Sequence, residues 1–425
     1  MRSALSGPSS IVISRIASAM LGVVSAPILA RALGPDGRGQ TAAALALTGL
    51  LPIALSFGIP IVARRRGASG EEVAPTVRAI RLFGLVVGAL GGLIAYFSTL
   101  SILESLPHPA KFALVVSGIG CSASGLLWIS DVNILIARER HGAFALVNLT
   151  SGAVFTTLVA IFALIGKISV SAVIWLNLAA MVTTLVVSSC LLRVGIRGPR
   201  ARTRVLLVES RRFYGAQLAE ASSYRLDQFF ALPIIGAHAA GLYSVAATIS
   251  LLPMAVGQAV GSSTFRRFVR ATSTGTFRAD FSTDLRGAVV AGWAASLSVA
   301  AATPAIVVLG FGRDFSDAII PALIALAGSV AVVGNYVVNS GLVALNKGWQ
   351  QTSAQFAGLL AGLVLLVLLG PTLGPSGAAL ASTLGYWLTF WCGYLATGLG
   401  LRDLSPRVGD LRGARDLFRQ GRQGA

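Results

Sequence analysis

The sequence predicts an all-α polytopic membrane protein: about twelve transmembrane helices in two parallel six-helix halves around a central cavity. Three observations carry that prediction. Nearly uncharged apolar runs recur from Ser9 to Gly400, each about twenty residues long, the length of a helix that crosses a bilayer. Basic residues crowd into alternate connections between those runs. A turn motif of the first half returns in the second. The 425-residue chain is 55% hydrophobic and 12% charged, with a mean hydropathy of +0.77, and its connections are too short to fold as a water-soluble domain.

The runs fall at residues 9–32, 41–63, 79–101, 112–136, 143–166, 170–192, 213–235, 241–263, 286–309, 320–345, 352–370 and 377–400. The first has the basic start and apolar stretch of a signal peptide. It continues to Leu33 without a clean small-residue cleavage site, so it reads as a retained helix. It carries Ser14, Arg15, Ser18 and Ser25, with Arg15 close enough to one end to snorkel to the interface. The second holds Pro52 and Pro60, and further prolines at 27, 233, 253 and 304 can kink their spans. The fourth places Ser117, Cys121, Ser124, Trp128 and Asp131 on one face, and the tenth carries Asn335 and Asn339 one turn apart. These polar residues read either as site residues or as hydrogen-bonding glue between helices. The halves are expected at 1–200 and 201–401, with a basic tail at 402–425. Cys121, Cys190 and Cys392 fall in different spans, with neither a disulfide framework nor a metal-ligand cluster.

The net charge of +18 raises the question of nucleic acid, and position answers it. With the N-terminus cytoplasmic, alternate connections collect Arg64–Arg66, Arg78, Arg81, Arg138, Arg140, Arg193 through Arg212, Arg266 through Arg286, and Lys347. The opposite side holds only Arg31, Arg38, Lys111, Lys167 and Arg313. This asymmetry puts both termini in the cytoplasm and makes the basic loops topology signals and anionic-lipid contacts. No nucleic-acid partner is expected.

The repeat is read from two turns. "ALGPDGRGQTAAALALTGLLP" (Ala32–Pro52) follows the first run and "IIGAHAAGLYSVAATISLLP" (Ile234–Pro253) follows the seventh, aligning Gly34 and Gly39 with Gly236 and Gly241. Parallel six-helix repeats place a substrate site between halves.

The seventh run holds the densest intramembrane charge. Glu220, Arg225 and Asp227 would together cost roughly 8–10 kcal/mol in lipid, so the run faces protein or water. Gln217, Glu220, Tyr224, Asp227 and Gln228 form one stripe if the helix is unbroken, with Arg225 bordering it. The simplest ion pairs join Arg15 or Arg225 to Asp131, Asp227 or Glu220. There is no phosphate-binding P-loop, and His108, His141 and His238 all lie in connections. No external loop is long enough for the acidic catalytic site of a membrane glycosyltransferase, so no enzyme is expected.

The stretch "APILARALGPDGRGQTAAALALTGLLPIALSFGIPIVARR" (Ala26–Arg65) resembles the start of the polysaccharide-transporter (Wzx-type flippase) branch of the multidrug/oligosaccharidyl-lipid/polysaccharide (MOP) exporter superfamily. "YRLDQFFALPIIGAHAAGLYSVAATISLLP" (Tyr224–Pro253) and "GFGRDFSDAIIPALIALAG" (Gly310–Gly328) are similar to later parts of the same family. The resemblance covers nearly the whole chain. It departs at Gln40, where a tyrosine is common, and the first helix has no aspartate of the kind drug-exporting relatives use for cation coupling.

The resemblance implies a MOP/MATE-like fold and a flippase for a polyprenyl-diphosphate-linked oligosaccharide in a bacterial plasma membrane. Arg15 and Arg225 would meet the diphosphate, as the family's cavity cations do. Gln217, Tyr224, Asn335 and Asn339 would hydrogen-bond the cargo, and Trp128 would stack on a sugar. Glu220, Asp227 or Asp131 would bind a coupling proton or sodium ion; no other cofactor is expected. Membrane lipids and glycan-assembly proteins are the expected partners. Two related readings stay open, a cation-coupled multidrug antiporter and a lipid II flippase, beside a non-transporting scaffold for glycan assembly.

Overall fold

Six of the apolar runs meet in pairs at a glycine break inside one helix rather than at a loop, and this decides how the chain folds. The structure, a computed structural model, describes residues 9–69, 72–195, 197–223 and 225–400; the basic tail from 402 lies outside them. The helices are α1 (Ser9–Ala54), α2 (Ile59–Ala68), α3 (Ala74–Leu100), α4 (His108–Ala137), α5 (His141–Leu164), α6 (Val170–Leu192), α7 (Thr203–Ser223), α8 (Leu226–Ser250), α9 (Met254–Thr274), α10 (Phe277–Ala305), α11 (Ile319–Ala344) and α12 (Gly348–Ala396). A π-helical turn (Ile306–Phe311) and a 3-10 turn (Arg313–Ala318) join α10 to α11. There is no strand among the described residues.

By length and hydropathy these helices supply eight membrane spans, or nine if the bent α1–α2 pair counts as one. The difference from twelve runs lies in the glycine breaks. Straight, the 46-residue α1 would be about 70 Å long, over twice the ~30 Å hydrocarbon core. It holds the first two runs, interrupted at Gly34 (φ 66°, ψ 179°). The 49-residue α12 holds the last two, interrupted at Gly374 (φ 56°, ψ −131°) between Pro371 and Pro375. Gly358 and Gly385 abut, so the chain doubles back there. The seventh and eighth runs meet inside α8 at Gly236 (φ 80°, ψ 168°).

The two aligned turns thus share one backbone solution. Gly34 and Gly236 adopt nearly the same dihedrals, in a region open almost only to glycine. The contact is also reciprocal. A Cβ on Gly39 would strike the Ala237 carbonyl oxygen, and one on Gly241 would strike that of Pro35. The internal repeat is therefore visible as a matched pair of turns that touch through equivalent atoms.

Packing divides the chain into two compact units, Met1–Gly241 and Leu242–Ala425. In the first, α3 meets α4 through glycines: a Cβ on Gly91 would run into Ser122 and the Gly118 carbonyl. Lipid tails are as apolar as leucine, so close approach of small residues drives such pairs. α5 is tied to α1 by Ser18 Oγ donating to the Asn148 carbonyl (2.9 Å) and Thr156 Oγ1 donating to that of Leu21 (3.1 Å). The connection after α6 is strapped to α3: Arg78 donates to the carbonyls of Gly195 (2.9 Å) and Pro199 (3.2 Å), and Arg81 to that of Val194 (2.9 Å).

In the second unit α9, α10, α11 and α12 close on Phe268, Phe281, Val337, Val338, Phe390 and Tyr394. Gly257 of α9 admits the Tyr336 ring of α11 and Gly261 lets the Tyr336 backbone approach, while Gly334 admits the Phe390 ring. Leu82, Leu85 and Leu93 of α3 and Leu360, Val364 and Leu368 of α12 stay exposed, faces suited to lipid rather than water.

Candidate functional site

The site builds around a turn at Arg225 that the seventh run read as unbroken helix did not anticipate. Helix α7 ends at Ser223 and α8 begins at Leu226. Local polar side chains bond the backbone on both sides of the turn. Ser223 Oγ donates to the Ala219 carbonyl (2.8 Å), and Asp227 Oδ1 accepts from the Gln228 amide (2.7 Å) in the first turn of α8. The stripe expected from Gln217 to Gln228 is shared between the two helices: Gln217 and Glu220 belong to α7 and Asp227 and Gln228 to α8, while Gln217–Ser250 together counts as one apolar span.

Helix α7 is clamped where the second span is itself broken. Pro52 and the Phe57–Gly58 pair bend α1 against α2 by 51°. The bend frees the Ala54 carbonyl, which accepts from the Tyr214 hydroxyl of α7 (2.6 Å). The Phe57 and Tyr214 rings lie 5.4 Å apart. Gly58 (φ 78°) lies so close to α7 that a Cβ there would come 2.9 Å from the Ser210 carbonyl. Arg66 of α2 closes the clamp with a 2.8 Å ion pair to Glu209.

About three turns beyond that clamp, Arg225 sits in the turn between α7 and α8. Its guanidinium rests on Gly49 of α1, with Cζ 2.7 Å from where a Cβ would stand. Only the missing side chain leaves the space. Arg225 is half-buried, and its side chain has no hydrogen bond or ion pair among the described residues. Among the described residues, no ion pair joins Arg225 to Asp131, Asp227 or Glu220. A desolvated cation without a carboxylate favours an anionic partner, and a planar guanidinium suits a phosphate.

The other predicted residues divide. Gln217 is half-buried with its Oε1 buried and Trp128 of α4 keeps a buried indole N–H, neither with a hydrogen-bond partner among the described residues. Glu220 is exposed and Asp227 half-buried. Asp131 is 3% exposed and accepts from Ser188 Oγ of α6 (2.8 Å). Along the same face Ser117 Oγ reaches the Ile174 carbonyl, and Asn177 of α6 bonds Cys121 Sγ and Thr48 Oγ1. That face of α4 therefore joins α6, and Asp131 lies on the joint.

Asn335 and Asn339 stand on α11 in the second unit. Asn335 is buried and bonds the Tyr386 carbonyl of α12 (3.5 Å), while Asn339 is half-buried. Tyr224 lies outside the described residues, as does the side chain of Arg15. Gly49 and Tyr214 were not singled out in the sequence; for Tyr214 the signal was the bend-forming "SFGIP", which leaves carbonyls needing a donor.

Residues 4–271 match the sequence model of a family described as "Polysaccharide biosynthesis protein". None of the curated proteins matches the chain. Solved structures do. An inward-facing multidrug resistance MATE family transporter of the MOP superfamily superposes with a TM-score of 0.67 at 15% identity, covering 97% of this chain and 100% of that one. Lipid II flippase MurJ in an inward closed conformation gives 0.71 at 13%, covering 96% and 90%. A MOP superfamily transporter from Pyrococcus furiosus gives 0.60 at 15%, covering 94% and 95%. At such identities the likeness is one of fold, and the fold is the expected all-α, polytopic, MOP/MATE-like one.

Proposed function

Because the chain belongs to the polysaccharide biosynthesis protein family and is a multi-pass membrane protein of the MOP type, we propose that it is a flippase for a polyprenyl-diphosphate-linked oligosaccharide. It would carry that lipid across a bacterial plasma membrane for surface polysaccharide synthesis, with both termini cytoplasmic. The observation that carries the proposal is Arg225, a half-buried guanidinium with no carboxylate partner among the described residues, seated on Gly49 in the turn between α7 and α8.

The chemistry follows from the cargo. A diphosphate cannot enter a low-dielectric passage unpaired, and a guanidinium offers it charge-assisted, bidentate bonds. Arg225 is the proposed counter-charge, with Arg15 as its second member. Gln217 offers an acceptor and Trp128 an apolar face with an N–H to sugar hydroxyls; Tyr224, Asn335 and Asn339 are proposed as further cargo contacts. The polyprenyl tail stays in lipid. Glu220, Asp227 and Asp131 are the proposed carriers of a coupling proton or sodium ion. Asp131, which already holds a hydroxyl from Ser188, is the one built into helix packing. Transport proceeds by alternating access.

The test compares Arg225→Lys and Arg225→Ala at matched protein levels. Surface-glycan export should fall at least tenfold in the alanine variant and partly recover in lysine, which keeps charge without the bidentate fork. Export equal to the wild type in Arg225→Ala would remove the proposed role.

A further inference from the structure

The second unit contains a charge cluster that the flippase reading does not use. Helices α9 and α10 form a hairpin around Gly275 (φ 76°). Across it Arg267 donates to two carboxylates of α10, Asp280 Oδ1 at 2.7 Å and Asp284 Oδ1 at 2.9 Å. Thr276 Oγ1 donates to the second Asp280 oxygen at 2.9 Å. Asp280 is thus bonded on both oxygens. Asp284 is 2% exposed, and its Oδ2 is buried with no partner among the described residues.

The charges do not balance. Two carboxylates share one guanidinium, so the cluster holds one uncompensated negative charge, and it falls on the more buried acid. Other charged groups nearby are few. On α10 they are Arg278 and Arg286. On α9 they are the exposed Arg270 and Arg266, whose side chain lies outside the described set. α11, packed against both helices, has no charged residue. On the same helix Phe277 and Phe281 precede Asp284 by about two turns and one turn, and Leu285 follows it, all part of the apolar cluster that includes Phe268. A buried oxygen among such groups lacks the donors that would hold a negative charge.

We infer that Asp284 is a proton-binding site, its carboxyl exchanging one proton as Arg267 engages and releases it. The step balances simply. One proton adds to Oδ2, no bond to carbon changes, and the cluster goes from one net negative charge to neutral. Protonation turns the unbonded acceptor into a donor and weakens the hold on Arg267, which keeps Asp280. Because Arg267 is 42% exposed, its movement opens the path by which the proton arrives. The site is independent of the cargo proposed above and stands or falls separately from Arg225.

The test is infrared titration of the purified full chain in lipid bilayers, following the protonated-carboxyl band as the pH is lowered. The wild type should show a band that Asp284→Asn removes and Asp280→Asn retains. Arg267→Gln, which leaves both acids in place, should make the band appear at higher pH. A band unchanged in Asp284→Asn, or unmoved by Arg267→Gln, overturns the inference. So does a band suppressed by sodium chloride and not by choline chloride of equal concentration, which would make the ligand a metal cation.

Discussion

Replacing Gly49 by alanine adds a single methyl group, at the one place where that atom and the Arg225 guanidinium cannot coexist. The new Cβ would overlap Nη1, with Cζ 2.7 Å and Nη2 3.3 Å away. What gives way is the far end of a flexible side chain rather than backbone, so the fold absorbs the change at the low end of the ~1–3 kcal/mol that overpacking costs. The guanidinium must retreat by about an ångström, and a displacement of that size at a binding centre costs on the order of a hundredfold. Loss of one charge-assisted contact, about 1.5–3 kcal/mol, gives a similar figure of roughly ten- to a hundredfold. The assay is surface-glycan export at matched protein levels, in a cycle of Gly49→Ala, Arg225→Ala and the double variant. If Gly49 acts only by seating Arg225, the double variant is no worse than Arg225→Ala alone. Wild-type export in Gly49→Ala, or losses that add in the double variant, would refute the reasoning.

Other substitutions probe the scaffold. Gly236→Ala places a side chain at φ 80°, ψ 168° and should cost about 1–3 kcal/mol in thermal unfolding, whereas Gly22→Ala, in open helical surroundings, should be neutral or stabilising by up to about 1 kcal/mol. Tyr214→Phe leaves the Ala54 carbonyl without its donor and should destabilise the α7 clamp by about 1 kcal/mol, read as a lower unfolding temperature with the ring contact kept. Asp131→Asn retains an acceptor for Ser188, so folded yield should hold while export falls; unchanged export removes Asp131 from the coupling set.

Much of this architecture could be read directly from residues. Gly34 and Gly236 announced matched turns because only glycine adopts their backbone angles at low cost, and the structure gives them nearly the same dihedrals. The apolar runs announced the spans because length and hydropathy are set by the bilayer. The turn at Arg225 was not legible: Gln217 to Gln228 fits a helical period in letters, and no glycine or proline marks it. The polar face of α4 was visible, but periodicity does not say which neighbour it meets. It meets α6, through Ser188 and Asn177. Gly49 was invisible for a related reason. Its meaning comes from a side chain 176 positions away in sequence, and a glycine among 48 carries no signal of what will fill its space.

The most direct measurement is mass spectrometry of the membrane lipids of cells lacking this protein, complemented with the wild type or with Arg225→Ala. The flippase reading predicts that a defined polyprenyl-diphosphate oligosaccharide accumulates, that the wild type clears it, and that Arg225→Ala does not. No accumulation, with surface glycan unchanged, would contradict it.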